Sequence, residues 1–214
     1  LVWNNGCTKD NLKPFYTLQG RSVVGDDWRA MGIVFEVVAA VPAPEPFPSG
    51  EPSGVVLVAP DVVIMQTAAI GGVVYTTYRL QVSLGGNAAN AYTIFGQEDS
   101  PLRMPAAFQE AQPFAADVGG VDPALFAIDG YKAQYDSWLT VGITEGDTSG
   151  ALGTIGIPFD TWTADQGLES NDGAVFWMDP SAGPAASAPI VVGQLTVANG
   201  VSFSANIDMQ GRSK

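Results

Sequence analysis

The chain has 214 residues, nine basic and 22 acidic side chains, a formal charge of −13 and no histidine. That field repels phosphate backbones and anionic lipid surfaces, which sets aside nucleic-acid and membrane-surface partners, and the lack of histidine removes the Ser-His-Asp and Cys-His mechanisms with the usual zinc ligand sets. With 14% charged and 46% apolar residues, 25 glycines and 15 prolines, the composition describes a compact, turn-rich chain able to bury one sizeable core.

The chain opens at Leu1 rather than at methionine, so a leader or propeptide is expected upstream. Cys7 is the single cysteine; it reads as a passive thiol or as one available for an intermolecular disulfide. Residues 15–24 and 32–40 are strand candidates, rich in β-branched and aromatic residues. Within the first, Leu18-Gln19-Gly20-Arg21-Ser22 is echoed by Met209-Gln210-Gly211-Arg212-Ser213. Taken as a duplication, the echo gives both ends an equivalent strand terminus, yet only the first copy is followed by another strand. The sheet edge left open at the second copy is one that another protomer's N-terminal strand can fill.

Residues 41–54 place Pro42, Pro44, Pro46 and Pro48 at every second position. Fixed φ and missing ladder donors predict an extended polyproline-like connection there. It reads as a surface loop, a spacer or a glycosylated segment, since its alternating Ala-Pro and Ser content resembles hydroxyproline-linked glycan sites of algal and plant wall proteins. At about 3.1 Å per residue its span is roughly 40 Å. No Asn-x-Ser/Thr sequon occurs.

Beyond the spacer, strands are predicted at residues 55–59, 61–68, 74–84, 137–143, 174–178, 190–197 and 201–209. Tyr78, Leu80, Val82 and Leu84 alternate with Arg79, Gln81 and Ser83, and Phe203, Ala205, Ile207 and Met209 alternate with Ser204, Asn206, Asp208 and Gln210, as half-buried strands require. Asn199-Gly200 lies between the last two runs and predicts a hairpin, because both residues tolerate positive φ. Helical signals are scarce: residues 106–116 are interrupted by Pro113, and residues 123–131 offer one short turn. These elements predict an all-β fold, a two-sheet antiparallel sandwich of jelly-roll-like or Ig-like architecture. Its expected parts are an N-terminal strand segment (1–40), the Pro-rich spacer (41–54) and the main sandwich (55–214). Leu80, Val82, Leu139, Val141, Phe176, Leu195, Val197, Phe203 and Ile207 are the predicted core.

Few residues point to chemistry. Glu145, Asp147 and Asp172, on Gly-containing loops, offer the hard oxygens that Ca²⁺ takes, but no EF-hand spacing is present and acidic residues are ordinary at turns. A glycosidase pair drawn from Glu145, Asp147, Glu169 and Asp172 needs a separation that sequence does not supply. There is no P-loop, dinucleotide fingerprint, nucleophile elbow or Cys-x-x-Cys. The chain is therefore expected not to be an enzyme and to need no cofactor. Trp138 and Trp177 sit in strand patterns and are assigned to the core, leaving Trp162, in Phe159-Asp160-Thr161-Trp162, as the better exposed candidate for stacking on a glycan.

Tyr135-Asp136-Ser137-Trp138-Leu139-Thr140-Val141-Gly142, then residues 155–162 and Asn171-Asp172-Gly173-Ala174-Val175-Phe176-Trp177, resemble uncharacterised β-rich domains in secreted proteins of algae, other aquatic microbes and marine bacteria, over residues 135–213. The resemblance implies an extracellular or cell-surface scaffold or adhesive module and transfers no catalytic residue. The expectation is thus a structural subunit of a filament or surface layer, a homopolymer of copies joined head to tail. Phe15, Val23, Val24, Ile33, Phe35 and Val37 of one copy would fill a neighbour's sheet edge. The alternative is a carbohydrate-binding or calcium-dependent adhesive module, with glycans as partners.

Overall fold

A computed structural model describes residues 27–37 and 56–214. The strand predicted at 15–24, the 18–22 copy of the echo, the spacer at 41–54, Cys7, Phe15, Val23 and Val24 lie outside the described residues. Eleven strands follow in order: β1 (Asp27–Val37), β2 (Val56–Ile70), β3 (Val73–Gly86), β4 (Thr93–Phe95), β5 (Leu102–Met104), β6 (Trp138–Leu139), β7 (Leu152–Ile155), β8 (Leu168–Ser170), β9 (Ala174–Trp177), β10 (Ile190–Ala198) and β11 (Phe203–Arg212). Helical structure among them is limited to short 3₁₀ turns at Pro123–Ala127, Ala133–Tyr135 and Phe159–Thr161.

The strands form two antiparallel sheets packed as a sandwich, as the period-two patterns predict. One sheet runs β2-β3-β10-β6; in the other, β11 is central, with β4 and β5 sharing one edge of it and leading on to β9-β7 and β8. Along the opposite edge of β11 lies β1, from Asp27↔Arg212 to Val37↔Phe203. Leu80, Val82, Leu139, Val141, Leu195, Val197, Phe203 and Ile207 are all buried where the alternation puts them.

Three strand bulges decide which side chains face inward. In β1 the register shifts between Ala30 and Ile33, so Trp28 and Ala30, then Ile33 and Phe35, all reach the core despite their opposite parity. Gly32 supplies the required φ of +63°, and its N–H donates to Asp208 Oδ1 at 2.7 Å. This is why the alternation reveals a strand only from residue 32. Asp208 is accordingly buried rather than solvent-facing as its place in the alternation predicts. A second shift between Val191 and Gly193 and a third between Ile64 and Gln66 do the same in β10 and β2.

The runs at 55–59 and 61–68 are one strand. Pro60 is accommodated because, among the described residues, β2 pairs only with β3 and is an edge strand. A two-residue turn, Gly71 at φ +58° and Gly72 at φ +88°, closes the β2–β3 hairpin in the primed-turn geometry that matches strand twist.

Asn199-Gly200 does not make a hairpin. Both edges of β10 are taken, by β3 and β6, so β11 crosses to the other sheet. The Asn199 N–H donates to the Val74 carbonyl at 2.8 Å, and its Oδ1 accepts from Thr76 Oγ1 at 3.1 Å. The pair thus turns a corner between sheets. Phe176 also departs from expectation. Val175 takes the inward position of β9, and Phe176 is half-buried on the other face, over Gly153, where a Cβ would sit 2.7 Å from its ring. Trp177 is half-buried and donates its indole N–H to the Val141 carbonyl at 2.7 Å.

The face of β3 and β10 opposite the core is not bare either. Trp138, Val121 and Ala133 form a second small cluster there with Phe114, Ala116, Leu125 and Val191. Arg79 lies with its guanidinium 4.8 Å from the Trp138 ring and donates to Gln194 Oε1 at 2.8 Å. Desolvation lowers the Arg79 pKa, and the Glu145 charge opposes that. β3, which reads as half-exposed, thus packs on the core by one face and is partly covered on the other by residues from the 114–138 stretch.

Candidate functional site

Two features stand out on the surface. The first is the side of the sandwich where β1 and β2, in contact with each other, are the outer strands of their sheets and each pairs on one side only among the described residues. Over fifteen residues β2 carries one charged side chain, Asp61. Edge strands are usually blunted, and here Pro60, Asp61 and the bulge at Ile64/Gln66 blunt the proximal half. The distal half, from Gln66 to the Gly71-Gly72 turn, has no charge and no proline. Around it large apolar side chains lie open: Ile64 is 67% exposed, Met65 50%, Val73 46% and Val74 45%. Val201, 50% exposed, belongs to the corner that is hydrogen-bonded to Val74.

Three of the six predicted assembly residues can be placed. Ile33 and Phe35 are buried and Val37 packs against the core, all within their own chain's sandwich. The expectation that residues 1–40 form a segment separable from the main sandwich is thereby corrected for Asp27–Val37, which is an integral strand. The physical reason lies at its start. Trp28 is buried against Gly211 and donates its indole N–H to the Arg212 carbonyl at 3.0 Å.

The weak calcium candidates Glu145, Asp147 and Asp172 do not assemble. Among the described residues no group of three or more acidic side chains is disposed to hold a metal. The Asp147 carboxylate instead organises its own loop, accepting from the N–H of Ala151 at 2.9 Å and of Leu152 at 2.7 Å and from Ser149 Oγ at 3.0 Å. Partial burial raises its pKa, but these donors and the Gly150 N–H outweigh that and hold it below the usual carboxylate value. Asp147→Ala is expected to cost about 1–2 kcal/mol, with thermal melts of protein and variant unmoved by calcium or chelator. A calcium-dependent rise in the melting temperature of the parent protein would contradict this assignment. Of the glycosidase nominees, Glu169 is paired with Arg103 at 2.9 Å on the surface, and Asp172 is exposed at a turn with Ser170 Oγ 3.5 Å away.

The second feature is a cleft of about 310 Å³ lined by Gln109, Glu110, Gln112, Ala115, Asp117, Phe159, Asp160 and Trp162. Its walls are residues 109–117 and the Phe159–Thr161 turn, tied together by Ala107 N–H to the Thr163 carbonyl at 2.9 Å and by Trp162 Nε1 to the Pro105 carbonyl at 2.8 Å. One wall hangs on Asp136, a buried carboxylate that accepts from Glu110 N–H at 2.8 Å on Oδ1 and from Ala116 N–H at 2.7 Å on Oδ2. Burial pushes Asp136 up to about 7, against these backbone donors. Trp162 corrects the sequence expectation. It is 2% exposed and packs in the main core, so it floors the cleft and offers no face for stacking.

Glu110 is internally engaged, its carboxylate accepting from the N–H groups of Ala111 and Lys132. Asp117 and Asp160 are not: among the described residues neither carboxylate accepts a hydrogen bond. Burial first, and then the Asp160 charge, raise the Asp117 pKa. Sequence reading missed this cleft because Gln109, Glu110, Gln112 and Asp117 fall in a proline-broken stretch without periodicity. The one local signal, Asp160 between Phe159 and Trp162, points at the tryptophan rather than at the acid.

Compared with protein-family models, curated proteins and solved structures, the chain has no match. Among the described residues no helix is long and apolar enough to cross a membrane.

Proposed function

We propose that this chain is an extracellular structural protein, a filament or surface-layer subunit whose copies join head to tail by β-strand addition. The observation that carries the reading is the β1 and β2 side of the sandwich, where the long edge strand β2 ends in an uncharged distal half flanked by Ile64, Met65, Val73 and Val74. A ladder edge unpaired among the described residues, beside exposed apolar surface, is the arrangement that strand addition satisfies, with main-chain hydrogen bonds for affinity and side-chain contacts for register. The acidic composition supports the extracellular setting.

Because Asp27–Val37 belongs to the sandwich of its own chain, we assign the donated strand to the segment before it, where residues 15–24 with Phe15, Val23 and Val24 read as a strand in the sequence. A donor and an acceptor on different faces make a heterologous contact that does not close. Deleting residues 1–26 is expected to leave a folded monomer that no longer polymerises, by electron microscopy and sedimentation. Ile64→Lys with Met65→Lys is expected to abolish polymers of the full chain. Filaments of unchanged order from both variants would overturn the reading.

A further inference from the structure

We infer that Asn199 is a site of self-modification: the Gly200 backbone nitrogen attacks the Asn199 side-chain amide, assisted by the Thr76 hydroxyl, and converts it in the folded protein to aspartate and isoaspartate. The inference is independent of polymerisation, since the reaction runs within one chain.

The corner between the sheets supplies the nucleophile. The Ala198 carbonyl accepts from the Val201 N–H at 3.2 Å, so Asn199 and Gly200 are the central residues of a tight turn, and both are exposed. Gly200 sits at φ +81°, and a Cβ built there would meet nothing within 4 Å. Its nitrogen is therefore open to water, and among the described residues its N–H donates to no acceptor.

Asn199 is held as the electrophile. Its N–H donates to the Val74 carbonyl at 2.8 Å, which fixes the backbone. Its Oδ1 accepts from Thr76 Oγ1 at 3.1 Å, and Oδ1 is the atom on which negative charge gathers as Cγ becomes tetrahedral. Thr76 has one hydroxyl proton and gives it to Asn199, so Thr67 Oγ1, 3.2 Å away, donates to Thr76 and sets its direction. The leaving group, Nδ2, donates to nothing among the described residues. Asn90 and Asn206 differ on each count. Their Nδ2 atoms are tied to the Pro180 and Pro101 carbonyls at 2.9 and 2.8 Å, and the residues that follow, Ala91 and Ile207, carry side chains beside the attacking nitrogen.

The atoms balance with water alone. The Gly200 nitrogen bonds to Asn199 Cγ, the Cγ–Nδ2 bond breaks, and the proton lost by Gly200 passes through solvent and leaves with Nδ2 as ammonia. Water then opens the succinimide ring at either carbonyl, leaving aspartate or its β-linked isomer at position 199. Nothing is oxidised or reduced. Each event places a negative charge beside Val74 and Val201, which are 45% and 50% exposed, next to a run from Val62 to Tyr78 that carries none.

The experiment is incubation of the full chain at mildly alkaline pH, native and in urea, with peptide mapping by mass spectrometry to read amide-to-acid conversion at each asparagine. The other Asn-Gly pair, Asn5-Gly6, lies outside the described residues and maps to a separate peptide. Expected is conversion at Asn199 in the native chain, faster as pH rises, with Asn90 and Asn206 intact. Thr76→Val is expected to slow the native reaction about fivefold, the rate equivalent of one hydrogen bond, and to leave the rate in urea unchanged. Thr76→Ser, which keeps the hydroxyl, should retain the native rate. Three outcomes would overturn the inference: Asn199 intact in the native chain after the unfolded chain has converted, a native rate in Thr76→Val equal to or above that of the parent, or native conversion of Asn90 and Asn206 as fast as that of Asn199.

Discussion

Asp136→Ala is expected to destabilise the protein by about 2–4 kcal/mol, a fall of roughly 5–15 °C in melting temperature for a chain of this size. The carboxylate is buried and both of its oxygens accept backbone N–H groups, from Glu110 at 2.8 Å and Ala116 at 2.7 Å. Truncation leaves both donors without their acceptor. It also unhooks residues 110–116 from the 3₁₀ turn at Ala133–Tyr135, next to which the Asp136 carbonyl accepts Gln194 Nε2 at 2.7 Å. The relief of desolvating a carboxylate offsets part of the loss, which is why the figure is not larger.

The same residue sets a pH dependence. Burial pushes its pKa in the folded protein up to about 7 from the ordinary carboxylate value of 3.8, so between these values the folded chain holds a proton that the unfolded chain has released. Stability then falls as pH rises through that window. Burial raises Asp117 and Asp208 in the same direction, so they add to the slope. Asp147 is held low, as are Glu169 beside Arg103 and Asp179 beside Ser181, and these contribute stability that is lost only under stronger acid. Melts are therefore expected to show greater stability near pH 5 than near pH 8, with the difference reduced in Asp136→Asn. A profile identical in protein and variant would remove Asp136 as its source.

Trp28→Ala is expected to cost about 3–5 kcal/mol. Trp28 is among the largest fully buried side chains, and its indole N–H bonds the Arg212 carbonyl at 3.0 Å. Its ring occupies the space above Gly211, where a Cβ would sit 2.5 Å from the indole and 1.9 Å from the Asn90 carbonyl oxygen. Gly211→Ala is therefore expected to cost about 3 kcal/mol by overpacking. Part of that clash is with the indole, so the alanine at position 211 is expected to cost less when Trp28 is already alanine. Measured as a double-mutant cycle, this coupling should exceed about 0.5 kcal/mol. In both single variants the amides of Asp27–Ala30 should exchange faster, while those of β10 stay protected. Strict additivity would mean that the two residues do not share one seat.

The strands with uninterrupted alternation were legible from residue types alone. Leu80 and Val82 in β3, and Phe203 and Ile207 in β11, face the core as their spacing requires, because a strand's side-chain period depends only on its own backbone. Where a bulge intervenes the pattern breaks. Trp28 and Phe35 have opposite parity yet share a core through the shift at Gly32, and a glycine inside an apolar run was the signal that marks such a shift. For the cleft, only Asp160 and Trp162 stood out, and the tryptophan proved to be its floor.

Sequence by itself determined the class: antiparallel sheets, a core without an intrachain disulfide, an acidic composition and a chemistry without histidine. Tertiary structure alone decided the partners. Asn199-Gly200 specifies a tight change of direction, but whether the next strand pairs with the last depends on whether an edge is free, and β3 and β6 had taken both edges of β10. The placement of β1 on β11 and the opposition of Asp117 to Asp160 are likewise products of closure. Local propensity acts over a few residues, whereas these contacts join segments tens to hundreds of residues apart, whose competition for the same edges and cavities is settled only when the whole core packs.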